Sequence, residues 1–169
     1  LAHVAERAER YDEMADFMKA RVEQGTPLST DERDMFSAAF KNALMERRHA
    51  VRVAVGVATQ EAQDGRADKA ALASGYKSKV TAELAGICDK ALGLLKNHLL
   101  PKAEPGEAKT FFLKMTGDYH RYLAEFAEGD ARQRSAEDAK AAYIDGMAEA
   151  EKSLPDVHPV RLGLALNFS

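Results

Sequence analysis

A chain of 169 residues and 18.5 kDa fits one domain and is long enough to bury a substantial core. Its 46% hydrophobic and 30% charged residues, with five prolines and no tryptophan, suit an all-helical protein. A net charge of −3 and a sequence pI of 6.0 argue against a nucleic-acid binder, and no run approaches the roughly 20 apolar residues that a membrane helix needs.

Leu1, Val4, Ala5 and Ala8 predict a short amphipathic helix at the start. A second helix, over residues 11–24, turns Met14, Phe17, Met18 and Val22 inward, and Gly25-Thr26-Pro27 ends it. Ser29 and Glu32 have the spacing of a capping box, and Met35, Phe36, Ala39, Phe40, Ala43 and Leu44 then mark a helix running to residue 63. Asp64-Gly65 breaks it. The next helix spans residues 69–100, with Val80, Leu84, Ile87, Ala91, Leu94 and Leu95 inside and Pro101 as its stop. The lone cysteine, Cys88, sits in this apolar run; a single thiol cannot close an intramolecular disulfide, so a reducing, cytoplasmic location is expected. Pro105-Gly106 precedes a helix over 107–128, ended by Gly129, and a further helix covers 135–153. Beyond the connector 154–159, Leu162, Leu164, Leu166 and Phe168 alternate with smaller or polar residues. Alternation alone would allow a strand, but a single strand here has no partner for its backbone groups, so the segment is expected to be helical.

Two of these helices carry ordered cations. Lys114 and Arg121 stand seven residues apart, nearly in line on one helix face and roughly 10 Å apart, with Asp118 and Glu125 each four residues beyond a cation. Lys41 and Arg48 repeat the spacing on an earlier helix, and Arg52 extends that line by a turn. As plain surface chemistry these are solvated faces with i,i+4 ion pairs. Facing each other across a groove, they would bind an anion, because guanidinium forks hold phosphate through paired charge-assisted hydrogen bonds and the nearby Tyr122 phenol can add a donor. Arg47 points off the Lys41–Arg48 line, which suits a role in the fold, and Arg52 is placed to pair with an acid.

Other chemistry finds little support. Glu46 and His49 have the Glu-x-x-His spacing of helical di-iron sites, but no second copy occurs. Ser74 and Lys77 match a serine–lysine spacing without its companion motifs, and no glycine-rich phosphate loop is present. No catalytic residue, metal or cofactor is therefore expected. The alternative to a binding protein is a helical scaffold or enzyme that uses the same groove for another anionic ligand.

The runs Tyr11-Asp-Glu-Met14, Phe40-Lys-Asn42 with Arg47-Arg48, Leu113-Lys-Met-Thr-Gly-Asp-Tyr-His-Arg-Tyr-Leu-Ala-Glu125 and His158-Pro-Val-Arg-Leu-Gly-Leu-Ala-Leu-Asn-Phe-Ser169 resemble the 14-3-3 family, in the family's order and across the whole chain. The resemblance implies an antiparallel array of helices and an adaptor that binds phosphoserine or phosphothreonine peptides of client proteins in signalling, without nucleic-acid or membrane partners. It assigns phosphate binding to Lys41, Arg48, Arg121 and Tyr122, adds Lys114 and the backbone-holding Asn167 to the groove, and places Leu166 on its apolar wall. It also implies a homodimer, with heterodimers as a variant, in which Val4 and Ala8 meet Ala54, Val57 and Tyr76 of a second copy while Arg10 faces Glu83 and Glu13 faces Lys79. Two departures stand out: Ala50-Val51 replaces the family's usual serine–tryptophan, so a phosphorylation switch at that serine cannot operate, and Phe40 stands where tyrosine is common. The family pattern continues for two and a half more helices, and Leu1 is not an initiator methionine. A single domain over residues 1–169, truncated at both ends and lacking its C-terminal helices, is therefore expected, with Leu162, Leu166 and Phe168 left partly uncovered.

Overall fold

The computed structural model describes residues 1–168, without the Phe168 side chain. Among them are seven α-helices: α1 (Ala2–Arg7), α2 (Tyr11–Glu23), α3 (Thr30–Gln63), α4 (Ala67–Leu94), α5 (Glu107–Phe126), α6 (Gly129–Ser153) and α7 (Pro159–Phe168). The longest helices pack as neighbours in the chain, α3 on α4 and α5 on α6, across connections of three and two residues. Turns so short reverse the chain, so each pair runs antiparallel.

The main core lies where α2, α3, α4 and α5 meet. Phe36, Phe40 and Leu44 from α3, Met14 and Met18 from α2, Leu84 and Cys88 from α4, and Phe112 and Tyr119 from α5 are all buried there. Desolvation pushes the Cys88 thiol up to about 12, with Asp89 adding to the rise and Arg48 opposing it. A smaller cluster of Ala139, Tyr143, Ala150 and Leu164 docks α7 on α6. No helix among the described residues is long and apolar enough to cross a membrane.

The predicted capping box forms: the Ser29 hydroxyl accepts the Glu32 N–H at 3.2 Å, and the Glu32 carboxylate accepts the Ser29 N–H at 2.9 Å. The Arg21 guanidinium also donates to Glu32, at 2.7 Å, and its hydrogen bonds hold that carboxyl below its ordinary range. Three boundaries differ from expectation. The α-helical register of α4 ends at Leu94, six residues before the predicted end; a π turn over Leu95–Leu99 and a 3-10 turn over Leu100–Lys102 carry the chain through Pro101. Gly129, at φ 55°, opens α6 instead of closing α5, and α6 starts six residues before its predicted position. Residues 129–134 are exposed and almost wholly polar, so no apolar period announces that first turn. Phe17, expected inside, is exposed, as are Leu1 and Val4, leaving Ala5 as the residue of α1 that enters the core. The last segment is helical, with Pro159 in its first turn, where its missing N–H costs nothing. Leu164 is fully buried, whereas Leu162 and Leu166 are exposed; Phe168's side chain lies outside the described residues.

Candidate functional site: a cationic groove between α3 and α5

Both cation stripes border one groove. A cavity of about 240 Å³ is lined by Ser37 and Lys41 of α3, by Lys114, Met115, Asp118, Tyr119, Arg121 and Tyr122 of α5, and by Asn167 of α7. Arg48 adjoins it through Tyr122, whose ring has the Arg48 guanidinium carbon 4.7 Å and the Arg121 guanidinium carbon 4.8 Å from its centroid. The packing follows from the sequence: Phe40 and Tyr119 meet edge-on at 6.5 Å in the core, which bridges α3 and α5 and leaves Lys41 on one helix and Asp118 and Tyr122 on the other facing the groove. Five predicted groove residues, Lys41, Lys114, Arg121, Tyr122 and Asn167, thus line one cavity. Leu166 is 76% exposed and not among its walls.

Acids organise these cations in a way the stripe pattern only half shows. Lys114 donates to Asp118 at 2.6 Å, the i,i+4 pair expected from spacing. The second such pair, Arg121 with Glu125, does not form. Glu125 instead reaches across to α3, where Arg48 donates to it at 2.6 and 3.0 Å and Arg52 at 2.6 Å. Burial alone would raise the Glu125 carboxyl, but the hydrogen bonds from Arg52 and Arg48 outweigh it and hold the group below the ordinary carboxylate range. Arg52 is therefore paired with an acid, as its position suggested. Glu125 takes one hydrogen each from the Nε and Nη2 of Arg48, so Nη1 and the second Nη2–H remain as donors.

Arg121 turns toward α6. Its Nε donates to the Tyr143 hydroxyl at 3.3 Å, and its Nη2 lies 3.8 Å from Asp118. The buried Tyr143 hydroxyl donates to Asp118 Oδ1 at 2.6 Å, and Asn167 Nδ2 donates to the same oxygen at 2.8 Å. Burial and the bond to Asp118 push the Tyr143 phenol well up, and desolvation raises Tyr122, so both rings stay neutral donors at neutral pH. Sequence reasoning missed Tyr143. One signal was present: Gly117 interrupts an aromatic-rich helix, and a Cβ placed there would lie 2.5 Å from the Tyr143 ring.

Arg47 stands apart, as its offset predicted. It donates to Asp12 of α2 at 2.7 and 3.0 Å and lies 3.6 Å from Glu83 of α4, tying three helices together. Of the residues expected at a dimer contact, Val4, Ala8, Val57 and Tyr76 are exposed, as are Arg10, Glu13, Lys79 and Glu83. Ala54 is different: at 4% exposure it is packed inside its own chain, since the position one turn after Val51 falls on the face that α3 turns to α4, and it offers little surface to a second copy. Arg10 pairs with Glu13 of the same chain.

Fold and groove together define an all-helical protein with a cavity lined by cationic side chains. Comparison with known proteins agrees and is more specific: the chain belongs to the 14-3-3 family, whose sequence pattern, described as "14-3-3 protein", matches residues 1–169. It is similar to a 14-3-3 protein homolog of Trichoderma harzianum, 45% identical over 169 residues that cover 100% of this chain and 64% of the relative. A 14-3-3-like protein of Fucus vesiculosus is 46% identical over 169 residues, covering 100% of this chain and 66% of that protein. The 14-3-3 protein beta/alpha-1 of Oncorhynchus mykiss is 45% identical over 168 residues, 99% of this chain and 68% of the relative. The chain thus spans about two thirds of the length of these relatives.

Proposed function

We propose that the α3–α5 groove reads phosphoserine or phosphothreonine in peptides of client proteins, and that the protein acts as a dimeric adaptor in signalling, in the cytoplasm. The observation that supports this most is the convergence of Lys41, Lys114, Arg121 and Tyr122 on one cavity beside Arg48. A phosphate brings about −1.5 to −2 charges and three acceptor oxygens, which suits two guanidiniums, two ammoniums and a phenol. In this reading Asn167, which lines the cavity, holds the backbone of the bound peptide, whereas Leu166 is exposed and lies outside the cavity's walls. In this reading residues 1–169 belong to a single domain.

Calorimetric titration of a phosphoserine peptide and of its unphosphorylated twin tests the reading. The phosphorylated peptide binds and the twin does not. Equal binding of both would favour a scaffold or enzyme whose groove takes another anion.

A further inference from the structure

Asp118 poses an electrostatic problem: a carboxylate stands within the wall of a site proposed to bind an anion, which by charge alone it repels. We propose that Tyr143 and Asp118 form a positioning pair that fixes the Arg121 guanidinium in its ligand-binding orientation, so that this carboxylate strengthens anion binding. The inference rests on the phosphate reading of the groove.

The geometry joins the three groups in one chain of hydrogen bonds. The Tyr143 hydroxyl donates to Asp118 Oδ1 at 2.6 Å and accepts from Arg121 Nε at 3.3 Å. Tyr143 can aim its hydroxyl there because its ring lies flush against α5 at Gly117, where no side chain intervenes. The ring is 3% exposed, so packing sets its rotamer and the hydroxyl is a fixed point. Arg121 itself is a long side chain on an exposed helix position, with four rotatable bonds to immobilise on binding; holding Nε beforehand lowers that entropy cost while Nη1 stays available to the ligand. The charge on Asp118 is meanwhile shared among Lys114, Asn167 and Tyr143, which limits its repulsion of a phosphate.

The two accounts of Asp118 predict opposite signs. If it acted only as a charge, Asp118→Asn would tighten phosphopeptide binding. Positioning predicts about tenfold weaker binding in Asp118→Asn and roughly fivefold weaker binding in Tyr143→Phe, which alters no charge. Neither substitution should weaken binding further in an Arg121→Ala background. Fluorescence anisotropy with a phosphoserine peptide reads the affinities. NMR of the free protein reads the arginine: the Arg121 Nε–H should be protected from solvent exchange in the parent and lose that protection in Tyr143→Phe while the melting temperature stays put. Tighter binding by Asp118→Asn overturns the proposal, and so does a Tyr143→Phe variant that keeps both affinity and Nε–H protection. A parent protein indifferent to peptide phosphorylation would defeat the phosphate reading instead; the Nε–H comparison, which needs no ligand, would still decide the positioning role.

Discussion

Neighbouring arginines on α3 do different work, and substitution should separate them. Arg48 and Arg121 flank the Tyr122 ring beside the cavity proposed to take the phosphate, so Arg48→Ala or Arg121→Ala should cost roughly 2–5 kcal/mol of phosphopeptide affinity, because the phosphate loses a counter-charge. Arg47 serves the fold through Asp12 and Glu83; Arg47→Ala should leave affinity unchanged and lower the urea midpoint by the equivalent of about 1 kcal/mol, a modest figure because Asp12 is largely solvated. Glu125 supplies a pH dependence. Its folded-state carboxyl is depressed below its ordinary 4.5 by the bonds from Arg52 and Arg48, so its contribution is fully present above that value and is lost as pH falls through the lower folded value. Glu125→Gln should therefore reduce stability near neutrality, and the urea midpoints of parent and variant should converge below about pH 4.5. That Lys41, Lys114 and Arg121 border one groove was legible in the seven-residue spacings Lys41–Arg48 and Lys114–Arg121 together with the family resemblance, and Tyr122 adjoins Arg121. That Glu125 would cross to α3 was not, since spacing ranks only partners within one helix.

At the level of helices, periodicity served best where one face is buried and the other wet. The starts of α2 and α3 and the helical state of α7 could be read in advance; the end of α4 and the start of α6 could not. The buried Leu95 and Leu99 keep the four-residue spacing of a helical face, so the change of register into a π turn leaves no trace in the pattern. The capping box should be worth about 0.5–2 kcal/mol, so Ser29→Ala should lower the melting temperature without touching ligand affinity. Gly117→Ala is the sharper test of how α5 meets α6. A methyl group 2.5 Å from the Tyr143 ring forces the ring or the helix aside, and a loss of about 1–3 kcal/mol in denaturant unfolding is expected, together with weaker phosphopeptide binding as the Tyr143 hydroxyl leaves its place. A Gly117→Ala protein with the parent's stability would show that the two helices can part at no cost.

For the molecule as a whole, the exposed apolar residues Val4, Val57, Leu72 and Tyr76 lie on α1, with Leu1 just before it, and on the ends of α3 and α4 that meet at the 64–66 turn, which is where a second copy is proposed to dock. Sedimentation at tens of micromolar should give a dimer, and a monomer there would count against the proposal. Arg10→Glu should weaken it, and Glu83→Arg in the same chain should restore part of the loss, although Glu83 also lies 3.6 Å from its own Arg47, so the rescue should be incomplete. Exposed ion pairs contribute only about 0–1 kcal/mol each, which leaves most of the association to the apolar residues. Leu162 and Leu166 of α7 are exposed as well.

The one native thiol has a practical use. Cys88 is buried, and its thiolate form is suppressed at neutral pH, so a maleimide or iodoacetamide reagent should pass it by until the protein is unfolded. A cysteine introduced on the surface outside the proposed dimer contact, at the exposed Ala131 of α6 for instance, would then take the probe, with no need to remove the native residue from the core. Pairs of spin labels carried in this way by two copies would report the spacing between subunits directly, in a protein whose interior had not been altered to permit the measurement.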